Sequence, residues 1–260
     1  RPMDSIMNNN YEFALVNGAK YSAFVSATKK QAADVQRRFP YIKKSFHVPV
    51  GVVSDDVLHR QRILSENRIF GKVIAVARIA PEKNLNDLVR AIAIVHKQIP
   101  QVTLDLYDYP DATNHYAEKR KIEKTIQELS LEGVVTFKGY TENLESAYDT
   151  AQIFGLTSIM EGFDLSLLEA ISHGVVGVTY DVNYGPNEIV QDGINGYVTP
   201  YGDIHALAEK IQLLLSDRDK MQQMSTNAYE SANRYSEENV WKKWHKVLMD
   251  AQKSEGKVTK

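Results

Sequence analysis

The sequence contains no cysteine among its 260 residues. Disulfides, thiolate metal ligands and a cysteine nucleophile are therefore excluded, and a reducing, cytoplasmic compartment is expected. No uninterrupted apolar run reaches the roughly 18 residues of a membrane-spanning helix. An excess of positive charge is also lacking, because 31 Lys and Arg accompany 33 Asp and Glu, for a net charge of -2. Without a global positive field, a dedicated nucleic-acid-binding protein is not expected.

Several motifs of common enzyme classes are missing as well. The chain has no G-x-G-x-x-G, no P-loop and no G-x-S-x-G, so dehydrogenase, NTPase and serine-hydrolase functions lose their main support. No spacing of His, Asp and Glu is typical of a zinc site, and no metal is predicted. Asp217-Arg218-Asp219 is a D-x-D sequence, but it lies between two predicted helices, where Asp is a common cap. Because the chain begins with Arg1 rather than Met, we expect a fragment of a longer protein.

From about Gly71 the sequence alternates short apolar strands with longer helices. Residues 73–77 form a continuous, partly β-branched apolar run, which is expected of a strand covered on both faces. Asn84 is expected to cap the helix that follows. Further strands are predicted at 103–107, 134–137, 153–156, 175–180 and 196–198, with helices at 116–129, 143–148, 166–172 and 186–191. This alternation predicts an α/β protein with a Rossmann-like, doubly wound parallel sheet.

The segments that flank this repeat differ from it. Residues before about 50 contain only a short predicted strand and a helix at 29–38, which is too little for a core of their own. After the sheet, helices are predicted at 204–214 and 217–234 and from the cap Ser236 onward. The early segment carries a basic run, which is either a solvated surface or a contact for a polyanionic acceptor or an anionic membrane. The run comprises Lys29, Lys30, Arg37, Arg38, Lys43 and Lys44.

Two loops carry the candidate chemistry, because ligands of doubly wound sheets bind where loops leave the carboxyl ends of strands. The first loop presents Arg78 and Lys83 directly before a helix. Two cations beside free backbone N–H groups at a helix N-terminus suit a diphosphate. The alternative is a pair of ordinary solvated surface cations.

The second loop contains Glu161, Gly162 and Asp164, and Glu169 lies one turn into the helix that follows. This spacing allows both glutamates to face one crevice and to accept hydrogen bonds from sugar hydroxyls. Gly162 lets the backbone approach a ligand closely, because it has no Cβ. The alternative is a loop glutamate and an exposed helical one. Because the neighbours of Glu169 in the sequence are apolar, a carboxylate that contacts only water is less expected at this position.

The run from Glu161 to Glu169 resembles the E-x7-E motif of retaining group 1 glycosyltransferases with the GT-B fold. Arg78 and Lys83 resemble the diphosphate-binding pair of that family, and the order of motifs and strands fits over about residues 48–250. Residues 184–196 are similar to the branch that glucosylates poly(glycerol phosphate) teichoic acid. The resemblance implies that the chain is the C-terminal, donor-binding half of a GT-B fold, followed by C-terminal helices.

The resemblance also implies roles for individual residues. Arg78 and Lys83 would neutralise the diphosphate of a UDP-sugar donor and stabilise its growing charge as the sugar departs. Glu161 would contact the transferred sugar, and Glu169 the ribose hydroxyls of the nucleotide. The remaining contacts implied are the backbone at Gly162, Phe163, Asp164 and Leu165 with phosphate or sugar, and Tyr107, Asp108, Gly139 and Tyr140 near the base. No metal or other cofactor is implied.

This chain departs from the family at two points. Asp164 stands where many members have Gly, although Asp is a competent N-cap. Tyr107-Asp108-Tyr109-Pro110 stands where many members have a Gly-rich loop.

GT-B enzymes hold the donor between two Rossmann-like domains, which predicts the domain organisation. We expect residues 1–50 to be a remnant of the acceptor-side domain with its connector, and 51–235 to be the nucleotide-sugar-binding domain. Residues 236–260 would form a helix and tail that pack back on the N-terminal domain. The expected activity is retaining transfer of a hexose from UDP-glucose or UDP-GlcNAc to a teichoic acid, glycan or protein, at the inner face of the membrane. Because the acceptor-side domain would be missing, the fragment is expected to transfer slowly or not at all.

Two alternatives remain open on the sequence. The first is a non-catalytic, GT-B-like partner or chaperone subunit of a glycosylation complex, which would have no need of Arg78, Lys83, Glu161 and Glu169 together. The second is a sugar-nucleotide epimerase on the same scaffold, which the E-x7-E spacing disfavours.

Overall fold

The computed structural model describes residues 15, 17–59, 67–107 and 115–255. The chain divides into two compact units, Val53–Ser236 on the one hand and Arg1–Val52 with Glu237–Lys260 on the other. The strands are β1 (Phe24–Ser26), β2 (Ser45–His47), β3 (Lys72–Val76), β4 (Thr103–Tyr107), β5 (Val135–Gly139), β6 (Ile153–Leu156), β7 (Val176–Tyr180) and β8 (Gly196–Thr199). The α-helices are α1 (Lys29–Arg38), α2 (Asp55–His59), α3 (Leu85–His96), α4 (His115–Glu128), α5 (Glu145–Thr150), α6 (Leu165–Ser172), α7 (Pro186–Ile189), α8 (Ile204–Ser216), α9 (Arg218–Ser231) and α10 (Glu237–Glu255).

The larger unit is built on a six-stranded parallel sheet with the order β5-β4-β3-β6-β7-β8. Numbered from β3, this is the order 3-2-1-4-5-6 of a doubly wound Rossmann sheet. The predicted fold class is therefore confirmed. The direction of strand order reverses between β3 and β6, so the loops that follow these two strands border the crevice where such sheets bind ligands.

Both faces of this sheet are covered by apolar side chains. Along β3 successive residues point to opposite faces, so Val73 and Ala75 belong to one buried cluster and Ile74 to the other. The first cluster includes the apolar faces of α3 and α8, and the second includes those of α6 and of the end of α9. This double coverage explains why the central strands have continuous apolar runs instead of an alternating pattern.

The smaller unit contains a two-stranded parallel sheet of β1 and β2, with α1 and α10. Leu15, Val35 and Ile42 form one buried cluster in it. Val48, Val240 and Val247 form a second cluster, so α10 packs against the segment around β2. Trp241 and Trp244 of α10 are exposed, Trp241 to 67%.

Local signals located most helix starts well. Asp203 and Asp217 cap α8 and α9, since their Oδ1 atoms accept from the backbone N–H of Ala206 and Lys220 at 2.9 Å. Asn84 occupies the N-cap position of α3 as expected, but its side chain makes no capping hydrogen bond. This residue lies in the left-handed region with φ of 46°, and its side chain donates to Asp87 Oδ2 at 2.7 Å instead of capping α3.

Two further findings concern the helices. Helix α2 had no counterpart among the sequence expectations. Among the described residues, none of the helices is both long and apolar enough to cross a membrane.

We expect Gly196→Ala to lower the free energy of unfolding by about 2 kcal/mol, because the tight packing of β7 on β8 leaves no space for a methyl group. A Cβ at Gly196 would lie 2.2 Å from the carbonyl oxygen of Gly177. Urea unfolding would measure the change. The matched control is Gly162→Ala, whose Cβ would meet no atom within 4 Å. Equal stability of the two variants would contradict this packing.

Candidate functional site

The loops after β3 and β6 are joined to each other by backbone and side-chain hydrogen bonds. The N–H of Ile159 donates to the carbonyl oxygen of Glu82 at 2.9 Å. The hydroxyl of Thr157 donates to the carbonyl oxygen of Asn84 at 3.0 Å. Thr157 is fully buried, so this contact is part of the interior of the unit. The two loops therefore form one surface at the point where the strand order reverses.

Lys83 lies between two carboxylates of the second loop. Its Nζ forms an ion pair with Glu161, and Asp164 Oδ2 lies 3.8 Å away. The same oxygen of Glu161 accepts a hydrogen bond from Ser158 Oγ at 2.7 Å. The side chains of Lys83 and Glu161 are only 17% and 11% exposed, so water screens this pair weakly. The structure therefore brings a cation of the first loop and the first glutamate of the second into direct contact.

Asp164 is both the cap of α6 and a member of the charged cluster that it forms with Lys83 and Glu161. Its Oδ1 accepts from the backbone N–H of Leu167 at 2.8 Å, which satisfies a free donor in the first turn of α6. Burial of the carboxyl group, together with the neighbouring charge of Glu161, raises the pKa of Asp164 to about 6. Lys83 and the N–H of Leu167 oppose this shift because they favour the charged form.

Arg78 lies in the same loop as Lys83 but in a more open position. Its Nη2 forms an ion pair with Glu82 Oε1 at 2.9 Å, and both side chains are about half exposed. Arg78 thus lies at the carboxyl end of β3, on the edge that borders the cluster. An exposed i, i+4 pair of this kind contributes little to stability.

Glu169 is exposed on α6, unlike Glu161. Its apolar neighbours in the sequence do not bury this side chain, although a merely solvated carboxylate was less expected among them. Leu167, Leu168 and Ile171 face the core, whereas Glu169 shares the solvent face with Leu165, which is 50% exposed. One oxygen of this carboxylate, Oε2, accepts a hydrogen bond from the hydroxyl of Tyr148 at 3.0 Å.

The backbone of the second loop rests on the segment after β7. The N–H of Glu161 donates to Asn183 at 3.1 Å, and the N–H of Gly185 donates to the carbonyl oxygen of Glu161 at 3.3 Å. A Cβ at Gly185 would lie 2.0 Å from the carbonyl oxygen of Gly162, so only glycine allows this approach. Gly162 itself is exposed, and the ring of Phe163 packs edge-on against Tyr235 with centroids 5.6 Å apart.

The residues expected near a base lie at the ends of the next two strands. Tyr107 ends β4 and is half-buried, and its burial, followed by the charge of Asp105, raises its pKa. Gly139 ends β5 with φ of 71°, and Tyr140 after it is 53% exposed. Since β5, β4 and β3 are neighbours in the sheet, these residues lie along the same edge as the cluster. Asp108, Tyr109 and Pro110 fall outside the described residues.

Sequence reasoning missed Tyr148, Ser158 and Gly185. Ser158 follows β6 in the loop of Glu161, so its position along the chain was a usable signal. A buried tyrosine on a short helix is indistinguishable in sequence from a core residue, and the contact of Gly185 with Gly162 joins residues distant in sequence. His173 directly after α6 is buried and contacts Asp149 Oδ1 through Nδ1 at 2.8 Å.

Within the part of the chain that is described, no group of three His, Cys, Asp or Glu side chains could hold a metal ion.

The raised pKa of Asp164 predicts a pH dependence of stability. The neutral carboxyl is favoured in the folded state, so its stabilising effect is fully present below its ordinary pKa and is lost as the pH rises through about 6. Asp164→Asn keeps a capping side chain but cannot ionise. We therefore expect the stability of the variant relative to the wild type to increase between pH 4.5 and 7, as measured by urea unfolding. A constant difference across this range would contradict the shift.

Comparison with known proteins identifies the family. Residues 60–231 match the family described as Glycosyl transferases group 1. The poly(glycerol-phosphate) alpha-glucosyltransferase of Bacillus subtilis (strain 168) is 37% identical over 173 residues, which cover 66% of this chain and 25% of that protein. The GtfA subunit of the UDP-N-acetylglucosamine--peptide N-acetylglucosaminyltransferase of Streptococcus gordonii is 28% identical over 252 residues, which cover 94% of this chain and 48% of that protein.

A solved structure agrees with these relatives. The pneumococcal O-GlcNAc transferase GtfA, crystallised in complex with UDP and GlcNAc, superposes with a TM-score of 0.81 at 26% identity. The similarity covers 94% of this chain and 48% of that one. The chain therefore spans between a quarter and about half the length of these three relatives. Because the family match extends over the whole parallel sheet and both site loops, the chain belongs to the group 1 glycosyl transferases.

Proposed function

We propose that this chain is the donor-binding part of a retaining hexosyltransferase of the GT-B type, which uses UDP-glucose or UDP-N-acetylglucosamine. The contact of Lys83 with Glu161 and Asp164 at the switch point of the sheet is the observation that carries the proposal. In this proposal the cation binds phosphates and the neighbouring carboxylate of Glu161 contacts the sugar. The names of the relatives, which include a glucosyltransferase, and the UDP bound to one of them support the choice of donor.

In this proposal the cations act on the leaving group. Lys83 and Arg78 bind the diphosphate and stabilise the negative charge that grows on it as the bond to the sugar breaks. Arg78 is the more accessible of the two, because its pair with Glu82 is exposed. Free N–H groups of Phe163, Asp164 and Leu165 at the start of α6 add donors for phosphate or sugar oxygens.

The two glutamates have different tasks because their surroundings differ. Glu161 is held by Lys83 and Ser158 and contacts the transferred sugar near its reacting carbon. Glu169 is exposed and accepts hydrogen bonds from the ribose hydroxyls of the nucleotide. Tyr107, Gly139 and Tyr140 line the end of the groove that takes the base. Such a site needs no metal or other cofactor, because Lys83 and Arg78 supply the positive charge.

The proposal extends to the acceptor and to the location in the cell. The relatives' names support a teichoic acid, glycan or protein acceptor. We propose that the contacts to it lie largely in an N-terminal domain of the same protein, with residues 1–50 as its last part and 236–260 packing back on it. We also propose a cytoplasmic protein that can meet the inner face of the membrane through the basic surface of α1, where Arg37 and Arg38 are exposed.

A non-catalytic partner subunit is the second candidate, because the name of one relative shows that it works as one subunit of its enzyme. A GtfA protein is itself named as a transferase in its solved structure, which favours the first candidate. A protein that only binds and stabilises another subunit does not need a buried cation between two carboxylates beside the crevice. Burial of such charges is costly unless they are paired. Charges kept beside the crevice in spite of this cost therefore favour a site in which they bind a ligand or act in catalysis.

The first test is binding of UDP by calorimetry. We expect Lys83→Ala and Arg78→Ala each to lower the affinity for UDP by about tenfold or more, because each removes charged hydrogen bonds to the diphosphate. The affinity for uridine, which has no phosphate, should change little. Lys124→Ala is the matched control, since this lysine is exposed and pairs with Glu128 within α4. Unchanged UDP affinity in both site variants would refute the assignment of the diphosphate site.

The second test concerns transfer itself. Incubation of these 260 residues with UDP-glucose or UDP-N-acetylglucosamine and poly(glycerol phosphate) should yield product much more slowly than a full-length glucosyltransferase, although the donor binds. Product is measured by chromatography of the labelled polymer. A rate close to that of a full-length enzyme would show that the acceptor site is complete within this chain.

A further inference from the structure

Glu169 is an exposed side chain whose carboxylate is held by a buried one. Tyr148 lies on α5 with only 2% of its surface exposed, and its hydroxyl donates to Glu169 Oε2 at 3.0 Å. We propose that Tyr148 is a positioning residue, which orients the carboxylate of Glu169 so that its other lone pairs meet the ribose hydroxyls of the donor. This inference rests on the proposed function, in which Glu169 binds the ribose.

The hydroxyl of Tyr148 is suited to act as a permanent donor. Burial of the phenol, followed by the charge of Glu169, raises the pKa of Tyr148 far above its usual value. The proton therefore stays on the tyrosine throughout the pH range in which proteins are stable. Because Oε2 of Glu169 accepts this hydrogen bond, Oε1 and the remaining lone pair of Oε2 are available to a ligand.

Both ends of this contact are fixed by their surroundings. Asp149 follows Tyr148 on α5, and its Oδ1 lies 2.8 Å from Nδ1 of His173, one turn after Glu169. The rings of Tyr148 and His173 pack with centroids 5.5 Å apart. Arg68 joins the ends of the two helices, since it donates to the carbonyl oxygens of Ala151 and of His173, the latter at 2.6 Å. Helices α5 and α6 are thus locked together around the pair of Tyr148 and Glu169.

The benefit of this arrangement is preorganisation. A glutamate on an exposed helix face samples several rotamers, and fixing it on ligand binding costs conformational entropy. Tyr148 fixes the carboxylate in the free protein, so less of that cost falls on the binding step. The effect should concern only the hydrogen bonds of the ribose, because Tyr148 itself is buried and touches no ligand.

The experiment compares the affinities of UDP, 2′-deoxy-UDP and 3′-deoxy-UDP, measured by calorimetry, in the wild type and in Tyr148→Phe. The wild type should bind UDP about tenfold more tightly than the deoxy analogue that lacks the hydroxyl contacted by Glu169. One hydrogen bond to a charged group has an effect of about this size. Tyr148→Phe, which keeps the ring in the core, should reduce this preference to about threefold or less. Affinity for the deoxy analogue itself should stay near the wild-type value.

Two further variants separate positioning from general structural damage. Tyr229→Phe is the control, since it too removes a hydrogen-bonding tyrosine hydroxyl, one that donates to the backbone carbonyl of Leu58. This variant should leave the preference unchanged. In a Glu169→Ala background, Tyr148→Phe should have no further effect on the preference, because the group that it orients is gone. An equal loss of affinity for UDP and both deoxy analogues in Tyr148→Phe, or additive effects of the two substitutions, would overturn the inference.

A crystal structure of the wild type with UDP provides a test that needs no variant. The carboxylate of Glu169 should keep its hydrogen bond to Tyr148 while it contacts the ribose, and a carboxylate that turns away from Tyr148 would overturn the inference. If the wild type binds neither UDP nor its analogues, the proposed function fails and this inference fails with it. If all three bind with an unchanged preference in Tyr148→Phe, the positioning role alone fails.

Discussion

The site depends on one interaction, the ion pair of Lys83 with Glu161 and Asp164. The three charged side chains are largely shielded from water, and burial of any one of them alone would be costly. Each of them has a partner of opposite charge or a hydrogen-bond donor, which offsets this cost. The cluster holds a cation of the loop after β3 against the loop after β6. It therefore joins the two halves of the sheet at the position where strand order reverses and where a ligand can enter.

The surrounding structure supports this cluster from several directions. Backbone hydrogen bonds between Ile159 and Glu82 and between Glu161 and Asn183 leave the loops little freedom. Gly185 permits a close approach to Gly162 that any side chain would prevent. Asp164 links the cluster to the N-terminus of α6, where free N–H groups and the helix dipole favour an anion. Rigidity of this kind suits the proposed transfer, in which the site would meet a charged transition state without rearrangement.

The two glutamates of the motif show how position decides chemistry. Glu161 is nearly buried and held by a lysine and a serine, whereas Glu169 is exposed and held by one tyrosine. This difference in surroundings is the reason why we propose different tasks for the two glutamates. Between the two glutamates lie the rest of the loop and slightly more than one turn of α6. One short segment of the chain therefore supplies both a loop carboxylate and a helical one.

The sequence by itself determined the parallel α/β sheet, since strand and helix periods alternate regularly and Asp203, Asp217 and Asp164 mark helix starts by local chemistry. It also indicated Arg78, Lys83 and Glu161 as candidates because they lie in loops after buried strands, and Glu169 because of its spacing from Glu161. Only the tertiary structure decided that Lys83 contacts Glu161, that Glu169 is exposed, and that Tyr148 holds it. Those facts depend on contacts between residues far apart in the chain, such as Tyr148 with Glu169 and Gly185 with Gly162, and on which side of a helix faces the core. Local patterns carry no information about such contacts, because side chains meet across elements only once the whole sheet has formed.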